Sequence, residues 1–391
     1  MRKFLLIQLL ALLLPLSVEA DGTRVSVMTC SPGDEAYSLF GHTALRYVDE
    51  EENIDVVFNY GYFDFASPDF MWKFILGETD YWVGYVPYRY FLTEYIERGS
   101  SVVEQVLNLT PQQERQIFDA LMENCRPENK VYRYNYFYNN CTTKVRDKLL
   151  AVLGTEELQC DDTFRQRTFR GDLGELTAAH PWFSFGIDLI LGADVDAPAT
   201  RHALQFLPLN FSEDLDKAYI LSDASEKQPL VIERRVVVEE NKPLASKTNL
   251  TPFTASILLL VLTFIVMLCE LRSKKCYWGY DILIMLLQGV AGLLLLFMSL
   301  FSEHPAVGCN YLLLLLNPLA LVLMPILVYR IIKKKSLLIS WIQVAFVVLF
   351  VLSAIIGLQC YPAPVYFCAA AILSRSLFHI YKKDICELNI L

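Results

Sequence analysis

From about residue 253 the chain is dominated by five apolar stretches, at about 253–271, 278–301, 311–332, 337–359 and 365–381. Each approaches the ~20 residues that a helix needs to cross a hydrocarbon core of about 30 Å. Backbone polar groups in lipid must be satisfied within the segment, so this part is predicted to be a five-helix transmembrane bundle. Before residue 250, past the first twenty residues, no comparable stretch occurs, so the excess apolar content is confined to one part of the chain. The expected organisation is a folded domain over 21–222, a juxtamembrane strand and linker over 223–252, and the bundle over 253–391.

Two signals set the orientation. "RSKK" (272–275), "RIIKKK" (330–335) and Lys382–Lys383 are basic, whereas "SEHPAVGCN" (302–310) and "CYPAP" (360–364) hold no Lys or Arg. Basic loops stay in the cytoplasm, which places the C-terminus inside and the large domain outside. Residues 1–20 agree: Arg2 and Lys3, the apolar run "FLLIQLLALLLPL" and the small residues of "SVEA" make a secretory signal peptide. The expected location is a bacterial inner membrane, multi-pass, with the large domain on the periplasmic side.

A formal net charge of −9 and no basic cluster in the exported domain argue against nucleic acid as a partner. The cysteines match no zinc spacing and the histidines are scattered, so no metal site is expected. Cys309 and Cys360 both fall in outside loops, where a disulfide is open to them.

Within the exported domain, "RVSVMTC", "HTALRYV" and "DVVFNYGYFDF" read as strands rich in β-branched and aromatic residues. "TPQQERQIFDALMEN" reads as a helix capped by Thr110, with Pro111 at its first position and Gln113 completing a capping box. "KVYRYNYFY" reads as a strand leading into "NNC"; past it, Val145, Leu149 and Val152 recur at helical spacing until Gly154. Cys141 is therefore predicted at a strand-to-helix junction, with Asn139 or Asn140 as cap, where the helix dipole favours a thiolate. A buried packing cysteine is the plain alternative.

His42 opens a predicted strand on the face shared with Ala44 and Arg46; a histidine so placed is often structural. Asn59 and Asp64 follow in the next strand, and either could orient an imidazole. Thiol acyl chemistry needs this set: a base for the thiol proton, a polar residue fixing the base's tautomer, and N–H groups for the oxyanion. "YWVGYVPYRYF" (81–91) fits an interfacial surface or acyl groove, and equally an aromatic core.

The succession "GDEAYSLFGHTALRYV", "FNYGYFDF", "VVEQVLNLTPQQ" and "RPENKVYRYNYFYNNCTTKVRD" resembles the Lnb family, lipoprotein N-acyltransferases of the Bacteroides group. The likeness is dense over about 26–150 and looser through the membrane part, at "EHPAVGCN" and "NPL". Histidine first and cysteine later resembles the permuted papain-like folds, including the lecithin:retinol acyltransferase group. The fold class so implied is an α+β permuted papain-like exported domain followed by the five-helix bundle. The resemblance implies Cys141 as nucleophile and His42 as base, with Asn59 the first choice and Asp64 the second for the third member. Asn140, Arg46 and His304 are candidates for substrate binding, His304 from the outside loop before Pro305. The implied reaction moves an acyl chain from a membrane phospholipid, through a cysteine thioester, to the α-amine of a diacylated lipoprotein, with no cofactor. The same dyad would serve a membrane-bound cysteine peptidase or amidase of the envelope, and a structural cysteine would suit a lipid-binding scaffold. The oligomeric state is not legible from the residues.

Overall fold

The computed structural model describes residues 22–35, 37–64, 66–221, 225–241, 250–332 and 338–382. The expected signal peptide, residues 1–20, lies outside them. Seven strands form one antiparallel sheet: β1 (Thr23–Cys30), β2 (His42–Asp49), β3 (Ile54–Tyr62), β4 (Asp80–Pro87), β5 (Val102–Leu107), β6 (Val131–Arg133) and β7 (Val231–Val238), in the order β7-β5-β1-β2-β3-β4-β6. Alternating side chains of β1 to β3 bury two faces rather than one. Val25, Val27, Leu45, Tyr47 and Phe58 pack under Ile117 and Leu121 of helix Pro111–Asn124, and under Val145 and Leu149 of helix Cys141–Leu153. Met28, Ala44 and Val57 pack on the opposite face under Phe91 and Tyr95 of helix Tyr88–Arg98.

The helices are numbered α1 (Phe70–Leu76), α2 (Tyr88–Arg98), α3 (Pro111–Asn124), α4 (Cys141–Leu153), α5 (Phe169–Thr177), α6 (Pro181–Ile190) and α7 (Pro208–Lys217). The Thr110–Gln113 capping box opens α3 as its sequence predicts, and Asn140 caps α4. Two expectations are corrected. "KVYRYNYFY" is strand only over Val131–Arg133: Asn135 accepts from the N–H groups of Phe137 and Tyr138 and turns the chain instead. The strand expected as juxtamembrane, β7, pairs with β5 as the edge of the main sheet, so the exported domain extends to at least Val238 rather than ending at 222.

Among the described residues, five segments are long and apolar enough to cross a membrane: Pro252–Ser273, Trp278–Phe301, Pro305–Arg330, Leu338–Ile356 and Ala363–Tyr381. Four are continuous helices, α8 (Pro252–Ser273), α9 (Trp278–Phe301), α11 (Leu338–Ile356) and α12 (Ala363–Tyr381). The third is broken. Two 3-10 turns, Pro305–Val307 and Tyr311–Leu314, precede α10 (Leu319–Ile332). Fourteen helical residues rise only about 21 Å, short of a full crossing. Irregular backbone at this depth survives where protein covers it and supplies partners. Buried amides do so here. Gln288 donates to the Leu315 carbonyl at 2.7 Å, Gln359 accepts from the Tyr311 N–H at 2.8 Å, and Asn310 accepts from the Leu312 N–H at 3.0 Å. Gly292 of α9 lets the break come close, since a Cβ there would lie 2.3 Å from the Leu316 carbonyl oxygen.

At the inner ends of α8, α9 and α12, Arg375 makes paired contacts to both Glu270 and Asp281, between 2.6 and 2.8 Å. Lys382 adds a contact to Glu270 at 3.5 Å, and His379 one to Asp281 at 3.1 Å. A buried charge in a bundle is costly unless paired and hydrogen-bonded, and these carboxylates are both. Cys309 and Cys360 are free thiols. Their loops are held by separate contacts, Ala193 N–H to the Cys309 carbonyl at 2.6 Å and Cys360 N–H to Asp196 at 2.9 Å.

Gly292→Leu should destabilise the bundle by about 1–3 kcal/mol, because backbone rather than a flexible side chain occupies the space. Thermal unfolding of the purified protein in detergent checks this; an unchanged midpoint would mean that the broken span is not seated on α9.

Candidate active site

Three side chains meet at the ends of β2, β3 and α4. His42 is the first residue of β2, and Ala44 two positions on pairs with Asn59 of β3. The His42 Nε2 lies 3.1 Å from the Asn59 Oδ1. Asn59 is buried, and its Nδ2 faces the Val57 carbonyl and the Tyr62 hydroxyl, each at 3.4 Å. That orientation presents Oδ1 to the ring as an acceptor for an Nε2 hydrogen. A bulge in the β3–β4 pairing falls at Gly61, whose φ of +108° favours glycine and which sits beside the Cys141 Cβ.

Cys141 begins α4. Asn140 accepts from the N–H groups of Thr142 and Thr143, both at 2.9 Å, while its Nδ2 donates to the Tyr136 and Phe206 carbonyls. The neighbours of the two candidate residues are also tied: the Thr43 and Thr142 hydroxyls are 3.1 Å apart. Burial pushes the Cys141 thiol up, but the charge and hydrogen bond of His42 outweigh it. With the Thr43 N–H and the Thr142 hydroxyl they bring the thiol down to about 7. Burial pushes His42 down, and the Cys141 thiolate and Asn59 more than reverse it, so its pKa is raised. Both directions describe a thiolate–imidazolium pair.

The pair opens into a cavity of about 930 Å³ shared by the two halves of the protein. Phe74 of α1 and Ile187 of α6 line it, as do Met298, His304 and Val307 of the membrane part. Neither α1 nor α6 buries a residue fully within the protein, although "FMWKFIL" and "PWFSFGIDLI" are almost wholly apolar. Trp72 of α1 packs against Phe297 of α9 in a tilted arrangement with centroids 5.4 Å apart. Short apolar helices so placed suit the headgroup–acyl boundary. Membrane-side groups satisfy their C-terminal carbonyls. Ser302 donates to Ile75, the Glu303 N–H to Leu76 and the His304 Nε2 to Phe74, at 2.7–2.8 Å. Asn310 donates to Leu189 and Ile190, and Gln359 to Leu191.

Not every sequence candidate reaches this centre. Asp64 lies past the end of β3 and accepts from the Ala66 N–H at 2.9 Å, closing a turn. Arg46 does not line the cavity; it pairs with Asp55 at 2.8 Å and Glu104 at 3.0 Å and stacks on Tyr88. Asn140 lines the cavity, but both of its amide hydrogens and its oxygen are engaged in capping and loop contacts. His304 lines it too, with its Nε2 occupied by α1. Of "YWVGYVPYRYF", Tyr81 lines the cavity, while Tyr85 and Tyr90 are exposed. Sequence reasoning missed Thr43 and Thr142, and also α1 and α6, whose signal was two apolar runs too short to span. Among the described residues no cluster of metal-ligating side chains occurs.

Comparison with known families fits this architecture. The Lnb N-terminal periplasmic domain matches residues 16–169, and the Lnb transmembrane domain matches residues 244–384. The chain belongs to the Lnb family. It is a multi-pass membrane protein related to lipoprotein maturation, with an α+β periplasmic domain followed by five candidate membrane spans. No curated protein and no solved structure is similar enough to match.

In this Lnb protein the rate of Cys141 alkylation by iodoacetamide should rise with pH around a midpoint of about 7, because the protonated thiol below it is unreactive. His42→Ala removes the compensating charge and leaves the burial, so the midpoint should move to the ordinary thiol value or above. Mass-spectrometric pH profiles of the two proteins check the sign. A midpoint unmoved by the substitution would mean that His42 does not set the thiol's state.

Proposed function

We propose that the protein is a lipoprotein N-acyltransferase of the bacterial inner membrane, exported by its signal peptide, with Cys141 as nucleophile. The observation that carries this reading is the Cys141–His42–Asn59 arrangement inside a mainly apolar cavity built jointly from periplasmic and membrane elements. A hydrolase of the polar cell wall has no use for such a cavity; a membrane phospholipid fits it at the level of the bilayer.

The reaction has two steps. The Cys141 thiolate attacks the carbonyl carbon of a phospholipid ester, and N–H groups at the head of α4 stabilise the oxyanion. His42, as imidazolium, gives its proton to the departing alkoxide, leaving a lysophospholipid hydroxyl and a thioester. The free α-amine of a diacylglyceryl-cysteine then attacks the thioester. His42, now neutral, accepts the amine proton as the thiolate leaves, which yields the amide and restores the thiolate–imidazolium pair. Asn59 holds the ring through Nε2, keeping Nδ1 on the sulfur. Ester and thioester carry the activation, so the scheme draws on no cofactor.

The test is the acylation state of lipoprotein N-termini in a host that lacks its own N-acylation. Wild-type protein should convert diacylated N-termini to the N-acylated form. Cys141→Ala should abolish the conversion, and His42→Ala should lower it by at least ~10²-fold with the protein still inserted. Asn59→Ala should cost about tenfold or more, and Asp64→Ala should be close to wild type. N-acylated product persisting at the wild-type level in Cys141→Ala would refute the proposal.

A further inference from the structure

The cavity that holds Cys141 is lined almost entirely by neutral side chains. Among the described residues only two formally charged ones line it, Glu94 and Arg98. They lie one turn apart at the end of α2 and pair at 2.7 Å. Arg98 stands 5.5 Å from the ring centroids of both Tyr37 and Tyr95, and it remains partly open to solvent. Ser31, Ser38 and Ser100 line the same lobe. It adjoins the reacting groups: Cys30 is paired with His42 in the sheet, Tyr95 bonds the Cys30 thiol, and His42 feels the Glu94 charge. The cavity is thus amphipathic, with apolar walls from α1, α6 and α9 and, besides the Cys141–His42 pair, one cation and one anion.

We infer that Glu94 and Arg98 form a headgroup site for the donor, taking a phospholipid whose headgroup carries both a phosphate and a primary ammonium, such as a phosphoethanolamine lipid. The inference rests on the proposed reading of Cys141 as an acyl-accepting thiol. An acyl chain lying along α1 and α6 puts its ester at Cys141 and its headgroup a few bonds further on. Arg98 then receives the phosphate oxygens through a forked, charge-assisted contact, and Glu94 receives the ammonium. Tyr37 and Tyr95 hold the guanidinium plane and offer ring faces to the ammonium. The internal Glu94–Arg98 contact is exchanged for two contacts to a zwitterion, so no net charge is buried. An isolated i,i+4 pair on a wet surface would contribute little by itself. Its place as the cavity's charged pair is what gives it a ligand.

The experiment reads binding separately from chemistry. Full-length Cys141→Ala protein is reconstituted in nanodiscs of equal phosphatidylethanolamine, phosphatidylglycerol and phosphatidylcholine, and retained lipid is identified by native mass spectrometry. The ethanolamine lipid should be enriched about tenfold over phosphatidylglycerol. Glu94→Gln or Arg98→Gln in that background should remove the enrichment, as loss of one charge-assisted hydrogen bond does. This readout holds even if no acyl group is ever transferred, so failure of the acyl-transfer reading is distinguishable from failure of the headgroup site. In protein retaining Cys141, the two substitutions should slow acylation by the ethanolamine lipid about tenfold. Acylation by a headgroup-free p-nitrophenyl ester should fall by much less, so that the ratio of the two rates drops. Equal retention of the three lipids by Cys141→Ala protein would overturn the inference. So would an equal loss with both donors, or a loss confined to amine transfer from a preformed acyl-enzyme, which would assign Glu94 to the acceptor.

Discussion

Everything at the site depends on how the first turn of α4 is fastened to the start of β2. The Thr43 and Thr142 hydroxyls meet at 3.1 Å, and each is the sequence neighbour of a reacting residue. Asn140 consumes both amide hydrogens and its oxygen to fix the same turn from the other side. Val145 and Leu149 then press the helix onto Leu45 and Tyr47 of the sheet. A misplacement of about 1 Å in a reacting pair can cost ~10²-fold in rate, so these ties matter as much as the nucleophile itself. Cys141 and His42 are about a hundred residues apart in sequence, and the fold brings them close enough for each to set the other's charge.

The low-polarity cavity has opposing effects on that pair. Desolvation disfavours each charge alone, and the mutual attraction strengthens for the same reason. For Cys141 the attraction wins, which brings the thiol to about 7 instead of leaving it protonated. Cys30, fully buried beside the same strand end, shows the other outcome: desolvation dominates and its thiol is pushed far up. His42 pairs with Cys30 across the sheet, yet its charge acts on the thiol of Cys141 and not on that of Cys30. The membrane half completes the environment, because its loop 302–304 and the Asn310 and Gln359 amides cap the two apolar helices that wall the cavity. The periplasmic domain and the bundle therefore share one chamber rather than being joined by a tether.

Features encoded over a few residues were legible in the sequence. A cap from Asn139 or Asn140, the stop at Gly154, the Thr110 capping box and the five apolar spans all follow from local rules; all are present, with Asn140 as the cap. Asn59 and Asp64 could not be separated that way, since both follow His42 at plausible strand positions. The structure separates them: β3 ends at Tyr62 after a bulge, leaving Asn59 in register and Asp64 in a turn. The break in the third span was hidden because apolar runs flank Asn317–Pro318 on both sides, and its unwinding depends on Gln288 of α9 and on Gln359 in the loop after α11. Arg46 shared a predicted face with His42, but Asp55 and Glu104 claim it, and that competition arises only in the folded sheet. Nothing local marks Glu94 and Arg98, an i,i+4 pair whose place beside the cavity follows only from the packing of α2.

The central claim is that one sulfur carries the acyl group between donor and acceptor. Incubation of the purified protein with phospholipid alone, followed by intact-mass measurement, tests it most directly. The account predicts one added acyl mass located on Cys141, released by neutral hydroxylamine and missing in Cys141→Ala, with lysophospholipid formed in equal amount. An acyl adduct retained in Cys141→Ala, or lysophospholipid released with free fatty acid and no adduct under any quench, would contradict it.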